Sequence, residues 1–191
     1  MLRCAQHDSL AKSVFMDLFI DQMSSPIGAL LLVWQPDALR ALHFDDGDEQ
    51  PFRRLLRWQF GVDELPSAPT PAEIRHPIEA YFRNDITALD RVPVRTIGTP
   101  FQQQTWTALR KIPAGSTISY GDLAARIGRP GASRAVGLAN GSNPVAIVVP
   151  CHRVIGANGT LTGYGGGLDR KRWLLAHEQA TLLRPRSTPS S

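Results

Sequence analysis

The run Val145-Ala146-Ile147-Val148-Val149-Pro150-Cys151-His152-Arg153-Val154-Ile155-Gly156 limits what this chain can become more than any other stretch. A short β-branched run bounded by turn residues predicts a buried strand over 145–149. Pro150 ends it, because proline has no N–H for the next ladder bond. The Cys151 thiol is therefore expected where a buried strand stops, held by a rigid element. A lone cysteine is more often a small buried hydrophobe than a nucleophile. His152 beside it, and the motifs around the pair, favour chemistry.

At 191 residues the chain has room for one domain or two small ones. No apolar run reaches membrane-spanning length, and residues 1–14 lack the apolar centre of a signal peptide, so no membrane association is expected. The cysteines are Cys4 and Cys151 alone, which argues against a disulfide framework and for a reducing, cytoplasmic setting. Neither has a nearby second cysteine or paired histidines, so no metal site is expected. The net charge of +4 is unevenly spread. Residues 1–97 hold ten Lys and Arg against fourteen Asp and Glu, and residues 98–191 hold eleven against three. A basic half joined to an acidic one fits a polyanionic partner for the basic half, although a merely cationic soluble surface would look the same.

Along the first half, apolar runs at Val14–Ile20, Gly28–Trp34 and Leu39–Phe44 are separated by turn residues and predict an antiparallel meander. Helices are expected over Gln50–Phe60 and Ala72–Phe82, then a linker near Arg91–Gly98. His43 and His76 are isolated and read as structural or exposed. The second half opens on Thr99-Pro100-Phe101-Gln102, an N-cap, a first-turn proline and a capping-box glutamine. A second capping box, Ser119 with Asp122, starts a short helix. Gly128-Arg129-Pro130-Gly131 turns the chain into a third helix from Ala132 to about Ala139. Two short helices joined this way resemble a helix-turn-helix. Small residues (Ser133, Ala135, Gly137) make the third helix slim enough for a DNA groove, and Arg134 argues against its full burial. A glycine-rich loop follows Gly156, and a last helix from Leu168 to about Ala180 puts Leu174 and Glu178 on one face.

Cys151, His152 and Glu178 are candidates for a thiol relay. A free thiol is only slightly ionised near neutrality and needs a base; His152 could serve, oriented by Glu178. Adjacent residues of a strand point to opposite faces, so Cys151 and His152 must lie beyond the strand or be bridged. Group transfer to Cys151, cysteine-dependent hydrolysis and a redox-sensing DNA binder all remain open at this level.

Pro150-Cys151-His152-Arg153-Val154, preceded by Asn143-Pro144-Val145, resembles the active-site signature of the 6-O-alkylguanine-DNA alkyltransferases, the methylated-DNA–protein-cysteine methyltransferases. Ile118-Ser119-Tyr120, Ala135-Val136-Gly137, Tyr164 with Gly166-Gly167, and Trp173-Leu174-Leu175-Ala176-His177-Glu178 extend the similarity over Thr99–Glu178. The resemblance implies an α/β (α+β) fold in two units. Residues 1–92 would be a ribonuclease H-like scaffold with an antiparallel sheet and helices. Residues 93–191 would be a mainly helical, winged helix-turn-helix unit for DNA binding and alkyl transfer. It implies repair of 6-O-methylguanine, with 4-O-methylthymine as a further substrate, by one irreversible transfer to Cys151. His152, through a water, and Glu178 would activate the thiol. Asn143 would be a hinge, and Tyr120 would offer its hydroxyl to the base or its phosphate. Arg134 would fill the stack after base flipping, with Ser133, Ala135 and Gly137 against the DNA. Val149, Val154, Tyr164 and Gly165 would line the pocket, Gly165 standing where the family often has serine. The partner would be double-stranded DNA carrying 6-O-alkylguanine. No cofactor is expected, and the protein is expected to be a monomer that can bind DNA cooperatively.

Overall fold

A computed structural model describes residues 17–182. It is a mixed α/β structure. The antiparallel sheet β1 (Phe19–Met23), β2 (Ala29–Gln35) and β3 (Ala38–Asp45) is followed by α1 (Glu49–Phe60) and α2 (Ala72–Phe82). A 3-10 turn at Ala88–Arg91 leads to α3 (Pro100–Leu109), β4 (Ile118–Ser119), α4 (Tyr120–Arg126) and α5 (Ser133–Gly141). A second 3-10 turn at Cys151–Arg153, β5 (Val154–Ile155) and α6 (Leu168–Leu182) complete it. Among these residues no helix is long and apolar enough to cross a membrane. The part of the first expected strand before residue 17, Cys4 and the basic tail after residue 182 lie outside the described residues.

The sheet is apolar on both faces because both are covered. Leu30, Leu32, Leu39 and Leu42 enter the larger core, which continues through Trp106, Leu123, Val136 and Leu174 of the second half. Val33 and Ala41 face Phe52, Leu56 and Phe60 of α1 in a smaller core. The spacing of those three α1 residues gives one buried stripe. Asp48 caps α1 by accepting from Gln50 N at 3.0 Å, and Gly61 ends it in the left-handed conformation. Both capping boxes form: Thr99 with Gln102 on α3, Ser119 with Asp122 on α4.

Two expectations change. The expected linker is ordered: Leu39 N donates to Pro93 O at 2.8 Å and Arg95 N to Leu39 O at 3.1 Å, so the segment runs along the outer edge of β3. The expected strand at 145–149 is instead a compact turn. Only Val145 pairs, with Leu42, also on the edge of β3. The chain then folds back, with Val149 N on Val145 O at 3.0 Å and Ile147 at φ 70°. Asn143 Nδ2 donates to Val149 O at 2.8 Å and to Val145 O at 3.4 Å, supplying locally the bonds a ladder would have given. The residues are apolar because Val145, Ile147, Val148 and Val149 are all buried, and burial does not require a strand. On the other side of the sheet, Ile20 exchanges backbone bonds with Pro66 and Ala68, which covers the edge of β1.

Candidate active site

Cys151 and His152 lie in the 3-10 turn after Pro150, which removes the alternation that would have separated them in a strand. Cys151 is 6% exposed and borders a cavity of about 170 Å³ shared with Asn143, Tyr164, Gly165 and Gly166. Its Sγ accepts from Asn143 Nδ2 at 3.2 Å, while Asn143 Oδ1 takes Val145 N at 3.0 Å. One side chain thus ties the thiol to the turn behind it. Burial pushes the thiol pKa up; the Asn143 bond and the Lys171 charge pull the other way without reversing the shift.

Glu178 is fully buried and accepts from five groups. They are Tyr81 Oη at 3.1 Å, Gly115 N at 3.0 Å, His152 Nε2 at 3.0 Å, and Arg153 through Nε at 3.0 Å and Nη2 at 2.8 Å. Burial alone would raise its pKa, but the hydrogen bonds from His152 and Arg153 and the Arg153 charge outweigh that and hold it well below the ordinary carboxylate range. Being ionised, it can only accept, so His152 Nε2 must carry the proton. Burial lowers the His152 pKa and keeps the ring neutral near pH 7, although Glu178 opposes the shift. The bare lone pair then lies on Nδ1, which is buried and has no protein partner among the described residues. A neutral imidazole one residue from a buried thiol, with its free lone pair unpartnered, could take the thiol proton through a bridging water.

The glycine loop is pinned from the first half. Arg170 donates to Gly166 O at 3.1 Å, Ile27 O at 2.8 Å and Asp46, and lies 4.4 Å over the Phe44 ring. A Cβ on Gly166 would meet Phe44 at 2.2 Å, which is why only glycine fits there. Tyr164 meets Phe44 edge-on and lines the cavity, its hydroxyl buried without a protein partner among the described residues. Lys171 Nζ, buried, donates to Val154 O and Thr162 O, both at 2.7 Å, and so joins β5 to the middle of that loop.

Of the residues singled out in the sequence, Cys151, Asn143, Tyr164 and Gly165 meet at the cavity, and His152 and Glu178 meet each other in the buried interior. Two expected lining residues do not reach it. Val154 pairs with Ile118 and is turned wholly into the core, and Val149 borders another cleft with Trp106 and Arg110. The remaining set lies along α4 and α5. Tyr120 is half-buried with its ring about 3.9 Å from where a Gly137 Cβ would stand, Ser133 is half-buried, and Arg134 and Ala135 are exposed. Arg126 and Arg129 are exposed on the same helix pair and its turn.

The sequence did not point to Tyr81, Gly115 or Asn140, whose Nδ2 lies 3.4 Å from Cys151 O. Arg153 and Lys171 carried a faint signal. Lys171, Leu174 and Glu178 share one helical face, and a lysine and a glutamate on an apolar stripe require buried partners. Among the described residues, no cluster of three His, Cys, Asp or Glu could hold a metal ion.

Comparison with known proteins now gives this site a family. The family model for the DNA-binding domain of 6-O-methylguanine DNA methyltransferase matches residues 100–180. A methylated-DNA–protein-cysteine methyltransferase of Shigella flexneri is 45% identical over 168 residues, covering 87% of this chain and 98% of its own. One from Mycolicibacterium paratuberculosis is 50% identical over 157 residues, covering 82% and 90%. The crystal structure of the Mycobacterium tuberculosis O6-methylguanine methyltransferase superposes with a TM-score of 0.73 at 41% identity, over 89% of this chain and 96% of that one. The M. tuberculosis OGT in complex with DNA gives 0.72 at 42% identity, over 85% and 94%. The site and fold are those of a DNA-repair methyltransferase that uses a cysteine as acceptor. The chain belongs to the methylated-DNA–protein-cysteine methyltransferase family.

Two outcomes follow. Arg153→Met should cost about 3–5 kcal/mol, because it leaves the Glu178 charge buried and under-paired; urea denaturation measures it. Labelling of Cys151 by iodoacetamide, followed by peptide mass spectrometry, should keep accelerating with pH above about 8.5, the ordinary thiol value. A plateau below pH 8 would contradict the raised thiol pKa.

Proposed function

We propose that this protein repairs 6-O-methylguanine in double-stranded DNA by one irreversible transfer of the alkyl group to Cys151, after the damaged nucleotide is flipped into the cavity. The observation that carries this is Cys151 on a cavity, followed in the same 3-10 turn by His152, whose Nε2 is held by Glu178 and whose Nδ1 has no protein partner among the described residues. His152 Nδ1, through a water, takes the thiol proton. The thiolate attacks the alkyl carbon; the S–C bond forms as the C–O bond breaks, and the electron pair leaves on guanine, which takes up a proton. A thioether results, and a second turnover would need a further acceptor. On this reading 4-O-methylthymine is a second substrate that the same displacement would serve.

Residues 93–191 serve as the DNA-binding and transfer unit, with α4 and α5 as a winged helix-turn-helix, and residues 1–92 as a ribonuclease H-like scaffold. The exposed guanidiniums of Arg126, Arg129 and Arg134, on or beside the small-faced α5, support docking on phosphates and in a groove. Arg134 fills the space left in the stack, since flipping costs a few kcal/mol that binding must offset. Tyr120, whose ring lies against α5 at Gly137, offers its hydroxyl to the base or its phosphate. Gly165 leaves a backbone N–H as the donor toward that oxygen. The protein acts as a monomer, and cooperative loading on DNA is part of the same reading.

Incubation with duplex DNA carrying methyl-labelled guanine should place label on Cys151 at no more than one methyl per molecule, and Cys151→Ala should bind DNA but accept none. Many methyl groups removed per molecule would sink the single-transfer reading. Arg134→Ala should slow transfer from duplex at least about tenfold, a loss of about 1.4 kcal/mol in the barrier, with little change on the free base. Equal losses on duplex and free base would remove its role in flipping.

A further inference from the structure

The Cys151 cavity has a wall that the steps above leave unused. Phe44 of β3 and Leu55 and Trp58 of α1 reach it from the first half. Helix α1 turns Phe52, Leu56 and Phe60 into the smaller core, and Trp58, two positions from Leu56, points elsewhere. It is 62% exposed, a large apolar ring left in solvent at the rim of a cavity that holds a nucleophile. The linings contributed by the two halves differ in chemistry. The end of α5 and the residues after it bring the polar side chains of Asn140, Ser142 and Asn143, whereas the first half brings the hydrocarbon and aromatic surface of Phe44, Leu55 and Trp58 together with the imidazole of His43. The edge of a nucleobase needs hydrogen-bond partners, which Leu55 and Phe44 do not offer, although His43 and the Trp58 indole N–H carry such groups. The substituent on its exocyclic oxygen needs apolar surface.

We propose that Trp58 is a specificity-determining residue, a first-half contact for the group being transferred that favours large apolar, above all aromatic, adducts. The inference rests on alkyl transfer to Cys151. The reacting carbon must lie within bonding reach of Sγ, so whatever that carbon carries lies against the cavity wall. A methyl group has no atoms beyond the reacting carbon and gains little there. A benzyl group carries a ring that can pack on Leu55 and pair with the indole, and aromatic pairs gain beyond simple area burial. The broad exposed indole also suits a substituent too large to be enclosed in about 170 Å³ together with a base.

The test compares single-turnover transfer from 6-O-methylguanine and 6-O-benzylguanine placed in the same duplex, for the wild type, Trp58→Ala and Trp58→Phe. The readout is the benzyl-to-methyl rate ratio, in which any inactive fraction of a variant cancels. Trp58→Ala should lower the ratio about tenfold, equivalent to about 1.4 kcal/mol of differential transition-state binding. Trp58→Phe, which keeps a ring, should retain most of it. A ratio unchanged in Trp58→Ala, whether both rates fall together or neither does, overturns the assignment. A ratio that rises overturns it too, because the indole would then be an obstacle to large adducts. A wild type that delivers neither group to Cys151 overturns the alkyl-transfer reading along with it, so the two failures are distinguishable.

Discussion

Glu178 is the group on which the rest of this structure depends. Its carboxylate gathers a phenol from α2, a backbone N–H at Gly115, an imidazole and a guanidinium into one buried cluster. Burying a charge costs several kcal/mol, so such a cluster persists only if every member is in place. The arrangement holds His152 in one tautomer and one orientation, and it ties the catalytic turn to α2 and α6 at once. Tyr81 shares in the cost: burial and the neighbouring Glu178 charge push its pKa well above that of a free phenol, so it remains a donor. The first half is therefore part of the machinery that prepares the thiol.

The same interdependence shapes the cavity. Its floor and polar side come from the turn after α5, and its loop side is set by Gly166 against Phe44 and by Arg170 bridging to Ile27 and Asp46. Neither half encloses a substrate alone. The thiol is held in a protonated resting state by burial, with Asn143 and Lys171 exerting the opposite pull. On the proposed reading, reactivity depends on a base that is neutral and held in one orientation, and less on a thiol that is ionised at rest.

Local signals in the sequence were enough for most elements. The two capping boxes, the α1 stripe and the glycine turn before α5 appear where the spacing placed them, because each is fixed by residues a few positions apart. The 145–149 segment misled because apolar β-branched residues report burial, while the amide of Asn143, which bends the segment, looks like any asparagine before a proline. The resemblance implies Val149 and Val154 as pocket residues, yet pairing with β4 turns Val154 inward. The meeting of His152 with Glu178 was legible through its flanking motifs. Tyr81, 97 residues from its carboxylate partner, and the α1 wall of the cavity were not, because a contact across the two halves leaves no periodicity in either.

The segments along the margins of the three-stranded sheet have a consequence of their own. An open sheet margin offers unpaired N–H and C=O groups on which other chains can condense. Here Pro93 to Arg95 and Pro144 to Ala146 occupy positions along β3, and Pro66 to Ala68 flank β1. Each guard includes a proline, which accepts but cannot donate and so discourages further growth of the ladder. One of these guards leads directly into the catalytic turn. The stretch that presents the thiol also shields the molecule from self-association, so disturbance of that turn would endanger solubility as well as chemistry.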